Sequence, residues 1–240
     1  MILKFIFRNV DKALYVGEYN RQYFLKYGLK EQQLIAAPHA IDNNRFSSNA
    51  AQWELQAIAE RKKLQIPDDA VVFLYAGKFY ELKQLDVLIN VFKQVKNPVY
   101  RLLLVGSGEQ ENMLKDLAKE DDRIIFQGFK NQSEMPWVYR MADVFVLPSN
   151  SETWGLAVNE AMACGRAAIV SDQCGCAPEL IVQGQTGFVF KSGSEEELLF
   201  CLQQFGHKQK AVEMGKIALK YIEQFSLEKL AEVIEREVMA

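Results

Sequence analysis

Two glutamates separated by seven residues, Glu152 and Glu160, stand in the run SNSETWGLAVNEAMACG at positions 149–165. The run follows an apolar, strand-like segment at 144–147, and a helical pattern begins at about Gly155. The first amides of a helix have no partner inside it and point outward along the positive end of its dipole. A phosphate or a sugar hydroxyl can therefore sit on them. A carboxylate beside such a place repels phosphate, so Glu152, before the helix start, and Glu160, about a turn inside it, suit neutral hydroxyls better. The vicinal diol of a ribose or a hexose offers two. A plainer role fits the same residues, with Glu152 a capping acid and Glu160 a paired structural group, and spacing alone does not choose between them.

A second segment, AGKFYELKQLD at 76–86, follows another strand-like run and carries Lys78 and Lys83 around a glycine turn at Gly77. Two such ammonium groups could neutralise a pyrophosphate, both as it binds and as it departs. Gly106 and Gly108 end a third apolar run, but Glu111 stands where the dinucleotide fingerprint needs its last glycine, which disfavours a nicotinamide cofactor. Gln127, Gly128, Phe129 and Lys130 close a fourth, where backbone groups and an aromatic edge could meet a base. Residues 175–179 (GCAPE) read as a turn into a short helix.

The elements that must position these groups are legible from period and punctuation. Strand candidates are 71–76, 101–105, 124–127, 144–147, 167–170 and 187–190, and helical patterns fill the gaps at 85–95, 109–119, 133–141 and 155–164. Three more helices close the chain at 195–204, 210–225 and 227–238. Runs such as VVFLYA, RLLLV and VFVLP are apolar at nearly every position, as in parallel strands covered on both faces. The expected fold class is α/β, a Rossmann-like open parallel sheet with helices on both faces. Its ligands bind at the carboxyl ends of the strands. Upstream, 13–16 and 34–36 read as short strands around a helix at 18–27, 42–48 as a polar linker, and 53–63 as a helix.

Composition narrows the function. The 240 residues are 49% hydrophobic and 25% charged, with a net charge of -3, so nucleic acid is not an expected partner. No apolar run reaches the roughly 18–20 residues that span a bilayer. The apolar patch at 1–7 is too short for a signal peptide, so a cytoplasmic location is expected. Cys164, Cys174, Cys176 and Cys201 lack zinc-ligand spacing, and His39 and His207 lie far from them in sequence. The acidic pairs at 68–69 and 121–122 form no Asp-x-Asp that would hold a divalent metal against a diphosphate.

Taken together, these motifs resemble the retaining glycosyltransferases of family 4 (group 1) of the GT-B fold, two facing Rossmann-like domains. The resemblance rests on the Glu152/Glu160 signature with its EAMACG, the Lys78/Lys83 loop, VGSG at 105–108, FQGF at 126–129, ADVFVLPS at 142–149, and PELI with GQTGFVF at 178–190. It covers about residues 70–240. It implies that Glu160 holds the nucleotide ribose, Glu152 the transferred sugar, and Lys78 and Lys83 the diphosphate. Trp154, Gly155 and Leu156 would offer backbone amides, Phe129 would lie beside the base, and Gly77 would belong to the same donor-binding set. No cofactor is implied: the donor substrate would be a UDP-, GDP- or ADP-sugar, and transfer retaining and metal-independent. The acceptor would be a saccharide or a lipid-linked hydroxyl, with a peripheral membrane association compatible with it.

Two departures stand out. The family usually has arginine where Lys78 stands and glycine where Gln84 stands. Lysine keeps the charge and loses the bidentate fork, so weaker binding is expected. Residues 1–45 resemble only the end of the family's acceptor-side domain and its hinge, with His39 a hinge residue, and 46–240 the donor-binding domain. Three readings follow: a glycosyltransferase represented by its donor-binding part; a non-catalytic or split nucleotide-sugar-binding module that needs a partner chain; and another nucleotide-sugar enzyme of epimerase or phosphorylase type.

Overall fold

The computed structural model describes residues 2–239. Met1 and Ala240, the outer ends of the two expected units, lie outside the described residues. The chain begins with α1 (Ile2–Phe7), β1 (Ala13–Tyr15), α2 (Glu18–Lys26), β2 (Leu34–Ala36), α3 (Asn43–Ser47) and α4 (Ala50–Lys63). The alternating part follows as β3 (Val71–Lys78), α5 (Leu85–Gln94), β4 (Tyr100–Ser107), α6 (Glu111–Ala118), β5 (Ile124–Gln127), α7 (Met135–Arg140), β6 (Val144–Leu147) and α8 (Leu156–Ala163). It ends with β7 (Ala167–Ser171), α9 (Ala177–Leu180), β8 (Gly187–Phe190), α10 (Glu195–Gln203), α11 (Lys208–Ile222) and α12 (Leu227–Met239).

All six anticipated strands of the larger sheet form, in the order β5-β4-β3-β6-β7-β8, and every pairing is parallel. The central strands are buried except at the carboxyl end of β3, with Val71 to Leu74 and Val144 to Val146 at 0% exposure, because helices cover both faces. From β3 the chain crosses outward to β4 and β5; from β6 it crosses the other way to β7 and β8. The loops leaving β3 and β6 therefore diverge, and a crevice opens between them at the carboxyl edge. A separate two-stranded parallel sheet, β1-β2, accompanies α1 and α2.

The polar stretch at 42–48 is not a linker. Asp42 caps α3, its side chain accepting the Arg45 amide at 3.1 Å. Phe46, the one large apolar residue there, is 2% exposed and packs edge-on against Tyr139. A cap and a single anchor suffice once α7 and α8 supply the partner surface, and such an anchor leaves no period to read. Residues 133–134 stay outside α7, which starts at Met135 with Pro136 in its first turn. Among the described residues, no helix is long and apolar enough to cross a membrane.

Candidate functional site

Two adjoining pockets occupy the crevice between the β3 and β6 loops. The first, of about 520 Å³, is lined by Ser107 and Gly108 at the end of β4, Phe129 and Lys130 after β5, Tyr139 of α7 and Glu160 of α8. The second, of about 480 Å³, is lined by Tyr75, Leu82, Lys83, Leu147, Ser151, Glu152 and Gly155. They share one wall, made of Ala76, Gly77, Lys78, Tyr80, Leu156 and Ala157. One pocket thus holds Glu160 and Phe129, the other Glu152 and Lys83, and Gly77, Lys78 and Leu156 stand between.

The wall is built by close backbone approach. Gly77 and Gly106 are paired across β3 and β4, and a Cβ on Gly106 would lie 1.9 Å from the Gly77 carbonyl oxygen. The Tyr75 hydroxyl donates to the Lys78 carbonyl at 2.8 Å and fixes the turn that carries the lysine. Burial, then the charge of Glu152, pushes that phenol well above its usual range. Opposite, Gly155 precedes α8 with φ at +100°, and no side chain caps the helix start. A Cβ there would meet Leu147 Cδ2 at 2.8 Å. Leu156 and Ala157, the first residues of α8, belong to the shared wall, and no side chain caps the helix there, the arrangement that favours an anion.

The charged groups are organised in pairs. Lys83 Nζ lies 2.5 Å from Glu152 Oε2, both half-buried. The Glu152 loop is pinned from behind: the Glu152 carbonyl accepts the Gly175 amide at 2.9 Å, and the Trp154 carbonyl accepts the Cys176 amide at 3.0 Å. Lys78 is exposed, with its ammonium 5.5 Å from the centre of the Tyr80 ring. Glu160 Oε2 accepts the Tyr139 hydroxyl at 2.6 Å. Burial raises the Glu160 carboxyl above the usual carboxylate range, opposed by the Tyr139 bond and the charge of Arg45.

Lys78, Lys83, Glu152, Glu160, Gly77, Gly155, Leu156 and Phe129 are therefore all at one crevice. Trp154 is not on either pocket wall. The residue is 3% exposed, its indole N–H donates to Asn159 Oδ1 at 2.9 Å, and His39 packs edge-on against its ring. His39 likewise lines neither pocket, and burial lowers its pKa. All four cysteines are buried and free, and burial pushes the Cys174 thiol up to about 11. Tyr75 and Tyr139 escaped the sequence reading because both sit inside apolar runs, where a tyrosine reads as core. Gln84, where the family usually has glycine, takes a left-handed conformation with φ at 48°.

A Rossmann-like α/β domain with a two-chambered cleft at its switch point is the class that this architecture defines. The chain belongs to the family described as Glycosyl transferases group 1, which matches residues 56–220. A D-inositol 3-phosphate glycosyltransferase of Stackebrandtia nassauensis is 31% identical over 185 residues, a match covering 71% of this chain and 40% of that protein. Among solved structures, a sucrose-phosphate synthase from Thermosynechococcus elongatus superposes with a TM-score of 0.82 at 26% identity, over 100% of this chain and 60% of that one. Anabaena HepE in complex with UDP superposes at 0.85 with 20% identity, over 99% of this chain and 66% of that one, a likeness of fold. The chain thus spans between two-fifths and two-thirds of these proteins.

Proposed function

We propose that this chain binds a nucleotide-diphosphate sugar in the cleft and forms the donor-binding part of a retaining glycosyltransferase. The observation that carries the reading is the shared wall: a nucleoside chamber with Glu160 and Phe129, a sugar chamber with Glu152 and Lys83, and Gly77, Lys78 and the α8 start between them. A pyrophosphate bridging the chambers would meet two ammonium groups and a helix N-terminus. Charge growing on the departing diphosphate would be met by the same groups, so the step needs neither cofactor nor metal. The ribose diol would face Glu160 and the sugar hydroxyls Glu152, while the first Leu156 and Gly155 amides would hold phosphate. UDP is the nucleotide in the HepE complex, and UDP-, GDP- and ADP-sugars are the donors to test.

Residues 1–45 read as the end of the acceptor-side domain and its hinge, and the acceptor as a saccharide or lipid-linked hydroxyl. A second reading is a nucleotide-sugar-binding module, in which this chain binds donor and a partner chain completes the acceptor side. Calorimetric titration with UDP, GDP and ADP, alongside hydrolysis and transfer assays with the matching sugar donors, separates the two. Binding with turnover supports the transferase; binding without turnover supports the partnered module. Absence of binding by every nucleotide refutes both.

A further inference from the structure

The hydroxyl that meets Glu160 comes from an unusually constrained side chain. Tyr139 is 1% exposed. Its ring lies 6.1 Å from the ring of Phe46 and 5.7 Å from that of Phe145, centroid to centroid, in edge-on contacts. Its backbone is fixed as well, since every residue of α7 is buried. The neighbouring Arg140 guanidinium donates to the Phe46 carbonyl at 2.7 Å and the Pro136 carbonyl at 2.9 Å, tying α7 to α3. Tyr139 also lines the first pocket beside Glu160.

We infer that Tyr139 is a positioning residue for nucleotide recognition: its hydroxyl engages Glu160 Oε2 and turns Oε1 toward the ribose hydroxyls. The inference rests on the donor reading above. A phenol donates one hydrogen bond and an ionised carboxylate only accepts, so the pair is charge-assisted and sets the carboxylate plane. The anchoring also bears on charge. Glu160 is half-buried, and the groups that act on it include Tyr139 from α7, Arg45 from α3 and Cys164, which caps the end of α8. Burial pushes the Cys164 thiol up to about 12, the Arg45 charge favours the Glu160 carboxylate, and Lys78 and Lys130 line the same pocket. Deleting the phenol leaves the carboxylate equally desolvated with one partner fewer. Ribose recognition would then lose both direction and charge.

Tyr139→Phe removes the hydroxyl alone and keeps the ring that packs on Phe46 and Phe145. The test titrates UDP and GDP, each against its 2′,3′-dideoxy analogue, into wild type, Tyr139→Phe and Glu160→Gln across a pH series. The expected result is that Tyr139→Phe weakens the ribonucleotide about tenfold, on the scale of a charged hydrogen bond, while the dideoxy analogue binds as it does to wild type. The ratio of ribo- to dideoxynucleotide affinity, from which phosphate titration cancels, should fall on acidification, and at a higher pH in Tyr139→Phe than in wild type. Equal weakening of both ligands would mean that the tyrosine only supports the fold, and would overturn the inference, as would an unchanged ribonucleotide affinity. If Glu160→Gln weakens ribonucleotide while Tyr139→Phe does not, the inference alone fails. If wild type does not distinguish the ligands, or binds neither, the donor reading of Glu160 fails with it.

Discussion

Gln84 holds a backbone conformation that its side chain disfavours, as do Asn49 and Gln65. It caps the start of α5 at φ 48° and ψ 43°, a left-handed conformation that a Cβ disfavours by about 1–2 kcal/mol. Glycine adopts it freely but loses more chain entropy on folding, by about 0.5–1 kcal/mol. The glutamine side chain contributes little in return: Oε1 lies 3.5 Å from Ser192 Oγ, at the limit of a hydrogen bond. Gln84→Gly should therefore stabilise the protein by about 0.5–1 kcal/mol, which for a chain of this size raises Tm by about 1–4 °C. Gln84→Ala deletes the same side chain without relieving the backbone, so it should give no gain. Thermal unfolding followed by circular dichroism, with a urea titration to check that the m-value is unchanged, reads the difference. A Gln84→Gly protein that melts at or below both wild type and Gln84→Ala would refute the strain argument.

Other expectations are as direct. Gly106→Ala places a Cβ 1.9 Å from the Gly77 carbonyl oxygen, so it should lose about 1–3 kcal/mol of stability in urea unfolding, and nucleotide affinity with it as the wall shifts. Because burial raises the Glu160 carboxyl, the sign of its contribution is fixed: stability is present below its unfolded pKa and lost as pH rises through the folded one. Ligand-free Glu160→Gln should thus melt at or above wild type at neutral pH, with the difference closing below about pH 4.3; a lower neutral-pH Tm would contradict this. Glu160→Ala should weaken nucleotide binding by about 1–3 kcal/mol in calorimetry, and an unchanged affinity would remove it from the site. Lys83→Ala should weaken a nucleoside diphosphate about tenfold or more, and a nucleoside without phosphate hardly at all; equal losses would mean that the lysine serves only to hold Glu152.

The fold was legible because parallel strands covered on both faces become continuous apolar runs. VVFLYA, RLLLV and VFVLP therefore declared themselves without any alignment. The strand order did not, since nothing local in a strand states its neighbour. The crevice was legible through glycines and charges at strand ends: Gly77, Gly106 and Gly155 each stand where the backbone turns or closes up. What stayed hidden was side-chain partnership. Tyr139 and Tyr75 read as core because they are buried, and their hydroxyls bond Glu160 and the Lys78 carbonyl at the site. Trp154 was expected to offer its backbone amide, and the glutamate motif gave no sign that its indole would pack on His39 and bond Asn159. The stretch at 42–48 misled for the opposite reason: one phenylalanine among polar residues carries no periodicity, although it anchors α3.

The central claim is that a diphosphate spans the wall between the two chambers. A crystal soaked with UDP or GDP would locate it. The account predicts phosphate density within hydrogen-bonding reach of Lys78 or Lys83 and the first amides of α8, with ribose hydroxyls on Glu160. Nucleotide bound elsewhere, or phosphates distant from both lysines and from the Gly155 turn, would contradict it.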